Sequence, residues 1–80
     1  MFSIGDTVVV RHSGTPVWNK RATDDRYRAY VEELGTLDKT SVCIVVDIFK
    51  DNKHGDAWLY MLCDRFSGVV CTHFSYVERI

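Results

Sequence analysis

VCIVVDIFK (Val42–Lys50), AWLYMLC (Ala57–Cys63) and VVCTHF (Val69–Phe74) are apolar runs separated by DNKHGD and by Asp64 with RFSG (Arg65–Gly68). Each is rich in β-branched or aromatic residues and too short for a typical helix, so each reads as a strand. DNKHGD carries the polar turn chemistry a hairpin needs, and Gly68 can adopt positive φ in the second turn. Successive antiparallel strands joined this way make a meander, closed by SYVERI (Ser75–Ile80) as a short final turn.

The register follows from which faces become apolar, because side chains alternate along a strand and a slip of one residue exchanges the faces. Val42, Ile44, Val46 and Ile48 share one face of the first strand, and their aliphatic character marks it as the core. With loops at residues 51–56 and 65–68, Ile48 falls opposite Leu59, Val46 opposite Met61 and Ile44 opposite Cys63, with Val70, Thr72 and Phe74 in the next column. The second face then holds Phe49 opposite Trp58, Tyr60 opposite His73, and Val45, Leu62 and Cys71 side by side. A shorter loop over Phe66–Gly68 would instead place Cys63 opposite Cys71 and turn Phe74 outward. A soluble monomer rarely leaves so large an apolar face bare. It is therefore expected to be covered by another part of the chain, a second copy or a partner protein.

Eighty residues make one domain, and at this size folding buries only about 60 to 65% of the unfolded chain's surface. A hydrophobic fraction of 46%, with four Phe, four Tyr and two Trp, argues for a packed globule rather than a disordered chain. No stretch has the pattern of a signal peptide or the length of a membrane helix, so a cytoplasmic protein without membrane contact is expected. Three cysteines at irregular spacing do not suggest a disulfide framework. They fit a reducing compartment and read as small core hydrophobes. The net charge is −1 and unevenly spread: residues 1–31 hold five Lys or Arg against three Asp, and residues 32–80 five against eight acids. That balance is weaker than a nucleic-acid binder usually shows.

Upstream of the meander, IGDTVVVRH (Ile4–His12) reads as the first strand of the sheet. SGTP (Ser13–Pro16) reads as a turn at which the chain leaves the sheet, and Trp18 as a packing anchor. TDDRYRAYVEELG (Thr23–Gly35) has helix punctuation: Thr23 as N-cap, Asp24 and Asp25 in the first turn, and Gly35 as the stop. The predicted helix spans about Asp24–Leu34. Its stripe of Tyr27, Tyr30, Val31 and Leu34 would cover one sheet face, and Arg28 and Glu32 can pair on the polar side.

GVVCTHFSYVERI resembles the end of SH3-like barrels, where a 3₁₀ turn precedes a final strand, and IGDTVVVR is similar to the opening strand of many such barrels, including KOW-like and Tudor-like modules. The resemblance covers Ile4–Arg11 and Val42–Ile80. It implies a mainly β, α+β fold: an SH3-like five-stranded barrel over residues 1–80, with a single helix in an insertion at about residues 13–41, between the first and second main strands. The acidic ligand loop and paired aromatics of peptide-binding SH3 domains are not evident, so proline-rich ligand recognition does not carry over.

Candidate chemistry is sparse. His54, His73, Cys63 and Cys71 invite a metal, but the preferred register sends Cys63 to the face opposite Cys71 and His73, and no Cys-x-x-Cys occurs. No metal or cofactor is expected. Catalysis would need a nucleophile with an orienting base, or carboxylates held in a cleft. Asp24 and Asp25 are better explained by a helix N-terminus and Glu32 and Glu33 by its solvated side, so no enzymatic role is expected. Lys20, Arg21, Arg26 and Arg28, interleaved with Trp18, Tyr27 and Tyr30, could contact phosphate or an acidic partner and stack bases; the plainer reading is a solvated helix face. The composition suits docking better than chemistry. The expected function is a small protein-interaction module, such as a stand-alone regulator or inhibitor of the kind a phage protein acting on a host factor represents, with Phe49, Trp58, Tyr60, Leu62 and His73 as partner-binding residues. A homodimer through the same face is compatible, and a nucleic-acid-binding KOW- or Tudor-like module using residues 20–28 is the alternative.

Overall fold

In the computed structural model, which describes residues 1–21, 31–52 and 55–80, the chain forms a curled, half-barrel antiparallel sheet of seven strands. In chain order these are β1 (Thr7–Val10), β2 (Thr15–Trp18), β3 (Glu33–Leu37), β4 (Cys43–Asp51), β5 (Asp56–Cys63), β6 (Val69–His73) and β7 (Val77–Arg79), with a 3₁₀ turn at Phe74–Tyr76 before β7. Their order across the sheet is β3-β2-β6-β5-β4-β1-β7. The mainly β expectation is met, and β4, β5 and β6 are the meander read from the apolar runs. The β2–β3 hairpin was not expected.

The helix is not supported. Residues 22–30 lie outside the described residues, but the remainder of the predicted span does not continue as a helix: Glu33 and Leu34 are in β3, which pairs with β2 through Thr15↔Leu37, Pro16↔Thr36, Val17↔Gly35 and Trp18↔Glu33. Asn19 N–H donates to the Glu32 carbonyl at 3.0 Å and extends that pairing past a bulge between Val17 and Trp18. Gly35, taken as a helix stop, has a different task. Its φ is +150°, and the Phe66 ring lies 3.2 Å from where a Cβ would stand, so the backbone there must be both unusual and bare. Pro16 likewise stays within the sheet. The only registered pair between β2 and β6 is Trp18↔Cys71, and Pro16 is tied to β6 by its carbonyl, which accepts from Thr72 Oγ1 at 3.1 Å. The missing N–H therefore breaks no registered pair with β6.

The β4–β5 register is as expected near the turn, with Ile48↔Leu59 and Phe49↔Trp58. It departs upstream, where a bulge between Val45 and Asp47 shifts the pairing to Val45↔Met61, Ile44↔Leu62 and Cys43↔Cys63. One extra residue exchanges the faces. Val45 and Cys43 are buried, whereas Val42 and Ile44, expected in the core, are 46% and 49% exposed. Between β5 and β6 the pairs are Leu59↔Thr72, Tyr60↔Cys71 and Met61↔Val70, a slide of two residues from the expected pairing. An even slide preserves the faces, so Leu59, Met61, Cys63, Val70 and Thr72 still point inward.

The inner face forms the core. Val8, Val10, Val17, Leu37, Val45, Leu59, Met61, Val70 and Val77 pack there with Cys43 and Cys63, and Phe2, Ile48, Phe66 and Phe74 close its margins. Cys43 and Cys63 are joined as a disulfide with their Cα atoms 4.5 Å apart, the spacing of a non-hydrogen-bonded antiparallel pair. This corrects the expectation of three unpaired cysteines: the β4 bulge brings Cys43 inward and opposite Cys63, which the bulge-free register could not do.

Candidate functional site

The outer face of β4, β5 and β6 carries the rings. Phe49, Trp58 and His73 are register partners in one row across the three strands. Trp18, brought by β2 against β6, meets Trp58 edge-on at 6.1 Å between ring centroids. Trp58 in turn meets His73 edge-on at 5.1 Å. His73, the N-cap of the 3₁₀ turn, also touches its chain neighbour Phe74 at 4.8 Å, and it meets Tyr76 at 5.9 Å because side chains three residues apart along such a turn stand in line. Edge-to-face geometry is the favoured arrangement for aromatic pairs. Tyr76, at 41% exposure, is the open margin of the cluster.

His73 is held at both ring nitrogens. Nε2 lies 2.9 Å from Asp56 Oδ1, and Nδ1 lies 2.7 Å from Ser75 Oγ while accepting from the Ser75 N–H at 3.3 Å. A nitrogen that accepts a backbone N–H carries no proton of its own, so in this arrangement the proton sits on Nε2 and is donated to Asp56. The order Asp56, His73, Ser75 is that of a base-activated hydroxyl. Here the ring also caps the 3₁₀ turn, which accounts for both contacts to Ser75 without chemistry.

Next along the face, Tyr60 stands opposite Cys71, not opposite His73. Its hydroxyl accepts from the Arg21 N–H at 3.3 Å, and the Arg21 guanidinium lies over the Phe49 ring, 3.4 Å from its centroid, as a cation–π contact. Arg21 thus draws residues 18–21 across the aromatic end of the face. That coverage accounts for the complete burial of Cys71, although Cys71 belongs to the outer row. Burial pushes its thiol up to about 12, against smaller lowering effects from a Tyr60 hydrogen bond and the Arg21 charge. Free-thiol titration at pH 8 should therefore find no reactive cysteine in the native protein. Unfolding without reductant should expose one, since Cys43 and Cys63 are bonded and Cys71 is free; a rapid native reaction would place Cys71 at the surface. The raised value also favours the folded state below about pH 9, and this contribution is lost as the pH climbs from there toward 12.

The far end of the face is aliphatic. Ile44, Leu62 and Val69 are cross-strand neighbours and are 49%, 48% and 45% exposed. Of the residues expected to bind a partner, Phe49, Trp58, Tyr60 and His73 lie at the aromatic end, and Leu62 lies in this aliphatic row. Of the basic residues, Arg21 is engaged by Phe49, Lys20 is exposed, and Arg26 and Arg28 lie outside the described residues, as does His54. Cys63 is bonded to Cys43, and among the described residues no three His, Cys, Asp or Glu side chains are grouped to hold a metal ion. Ser75, Asp56 and Tyr76 were not singled out from the sequence. The spacing of three between His73 and Tyr76 in the predicted closing turn was the available signal. Among the described residues no helix is long and apolar enough to cross a membrane. Compared with known proteins, the chain matches no family model, no curated protein and no solved structure.

Proposed function

We propose that this chain is a small, non-enzymatic protein-interaction module that docks a partner on the outer face of β4, β5 and β6. The observation that carries the reading is the composition of that face: a ring cluster of Trp18, Trp58, His73 and Tyr76 adjoining the exposed Ile44, Leu62 and Val69. Aromatic anchors bordered by aliphatic area are what protein interfaces concentrate, and exposed apolar patches of this kind mark interaction surfaces. The adjacency of β7, β1, β4, β5 and β6, with a 3₁₀ turn before β7, supports reading the core as an SH3-like five-stranded barrel to which the β2–β3 hairpin is added. A stand-alone cytoplasmic regulator or inhibitor, of the kind phages direct at host factors, fits this reading. In a reducing compartment the Cys43–Cys63 pair would be exposed to opening.

The nucleic-acid alternative rests on the basic segment 20–28. It is weakened by Arg21, whose guanidinium is committed to Phe49. Low-salt titration with RNA and DNA oligonucleotides, with binding that falls steeply as salt rises, would revive it.

Trp58→Ala is expected to weaken partner binding or self-association by about 2 kcal/mol or more, roughly 30-fold, while unfolding stays cooperative. Tyr60→Ala should act in the same direction. Affinity capture compared between wild type and each variant, with a thermal melt of each, checks this; unfolding of Trp58→Ala with no loss of binding by its remaining folded fraction would refute the placement of the site.

A further inference from the structure

The bulge in β4 separates two ways of laying the same segment against β5. In the observed one, Ser41, Cys43 and Val45 are buried, Val42 and Ile44 are exposed, and Val46 is the extra residue between Val45 and Asp47. If residues 42–46 slide by one position, so that Val46 takes the place of Val45, the ladder becomes regular. Val46 then falls opposite Met61, Ile44 opposite Cys63 and Cys43 opposite Asp64, and the faces of the segment are exchanged. The inner positions held by Ser41, Cys43 and Val45 pass to Val42, Ile44 and Val46.

β1 can follow this slide. Val8 now faces Cys43 and Thr7 faces Ile44, while Val45 donates its N–H to the Asp6 carbonyl at 2.9 Å and accepts from the Gly5 N–H at 2.7 Å. After the slide Val8 meets Ile44, Thr7 meets Val45, and Val46 inherits both hydrogen bonds. The regular register restores the ladder position that a bulge leaves unpaired, and it buries Val and Ile in place of Ser and Cys. Against it stand the greater volume of Val42 and Ile44 in a packed interior and the bond from the Ser41 N–H to the Asp38 carbonyl at 3.1 Å, given up as one more residue enters the connection after β3. The regular register cannot carry the disulfide. Cys43 and Cys63 are partners only when the bulge is present.

We propose that the Cys43–Cys63 bond is a redox switch of strand register: oxidised, it holds β4 in the bulged register, and reduced, it lets residues 42–46 slide into the regular one. A dithiol reductant attacks one sulfur of the pair, forming a mixed disulfide and releasing the other cysteine as a thiolate. Its second thiolate then displaces the first cysteine. The S–S bond of the chain is thereby exchanged for one within the reductant, and the two protons of the reductant's thiols end on Cys43 and Cys63. The slide carries Cys43 to the outer face and Ile44 into the core. Its consequence for docking, with Val45 replacing Ile44 opposite Leu62, rests on the function proposed above; the switch itself does not.

NMR of the isotope-labelled full chain, before and after reduction with dithiothreitol, tests this directly. Hα–Hα contacts between Cys43 and Cys63 and between Val45 and Met61 in the oxidised protein should give way to contacts of Ile44 with Cys63 and of Val46 with Met61. Deletion of Val46 removes the slack while keeping Cys43 opposite Cys63, so this variant should retain the first set of contacts when reduced. A pulse of iodoacetamide on each reduced and desalted protein, read by peptide mapping, should modify Cys43 at least about tenfold faster in the wild type than in the deletion variant, as expected when a buried thiol becomes exposed. If a melt shows the deletion variant to be unfolded, the wild-type Hα contacts decide alone. A reduced wild type that keeps the Cys43–Cys63 contact, one that is unfolded, or a folded deletion variant whose Cys43 reacts as fast as the wild type's would overturn the proposal.

Discussion

Reducing the Cys43–Cys63 disulfide, or replacing both residues with Ala, should lower the unfolding free energy by about 3 kcal/mol, the chain-entropy value for a loop of this length. The bond spans a sequence separation of 20 residues and ties β4 to β5 immediately beyond the β4 bulge. Both cysteines face the core, at 1% and 7% exposure, so the Ala pair adds a small packing loss to the entropic one. For a chain of 80 residues a change of that size corresponds to a fall in melting temperature of roughly 12 to 24 °C. Melts with and without reductant read it directly. A shift below about 3 °C would mean that the two sulfurs are not bonded in the folded protein, or that their bond constrains nothing.

Leu59→Ala is the other large effect, expected to cost about 2 to 5 kcal/mol. Leu59 is completely buried and sits between its register partners Ile48 and Thr72 at the centre of the inner face. Leu62, three residues along the same strand, is 48% exposed on the outer face, and Leu62→Ala should change stability by no more than about 0.5 kcal/mol. Paired denaturant titrations check the contrast. Equal costs at the two positions would mean that the inner and outer faces of β5 have been exchanged.

How far the fold could be read from the residues differs along the chain, for identifiable reasons. In the meander, local pattern and global structure agree: apolar runs of strand length bounded by turn residues became β4, β5 and β6. The pairing of Phe49 with Trp58 was legible because nothing intervenes between it and the DNKHGD turn. Upstream, VCIVVDIF is aliphatic on both parities, so no alternation marks where a bulge falls. Val45 and Cys43 were accordingly assigned to the wrong side, and the disulfide was hidden with them. The sliding of β6 by two residues did no comparable harm, because only odd slips exchange faces.

Residues 33–37 show the opposite failure. ELGTL has no strand signature of its own: Glu33 and Leu34 completed an amphipathic helix pattern, and Gly35 looked like its terminus. What decides the segment is long-range, namely pairing with β2 and the Phe66 ring pressed onto Gly35. Local propensity is a weak prior against contacts of that kind. The candidate site was partly legible for the same reason as the meander. Alternation alone placed Phe49, Trp58, Tyr60, Leu62 and His73 on a common face, but Trp18 and Tyr76 reach the cluster only through the β2–β6 pairing and the 3₁₀ turn. Arg21, considered for phosphate contact, is instead turned back onto Phe49.

The central claim is that the outer face is where a partner docks, and site-specific photo-cross-linking tests it most directly. A benzophenone side chain would replace Leu62 or Tyr76 on that face, or Lys39 in the exposed connection between β3 and β4, and each form would be irradiated in an extract of the native host. The account predicts that positions 62 and 76 trap the same discrete protein, that position 39 does not, and that Trp58→Ala, shown by its melt to be folded, abolishes both adducts. Equal trapping from position 39, or adducts at 62 and 76 that survive Trp58→Ala, would contradict it.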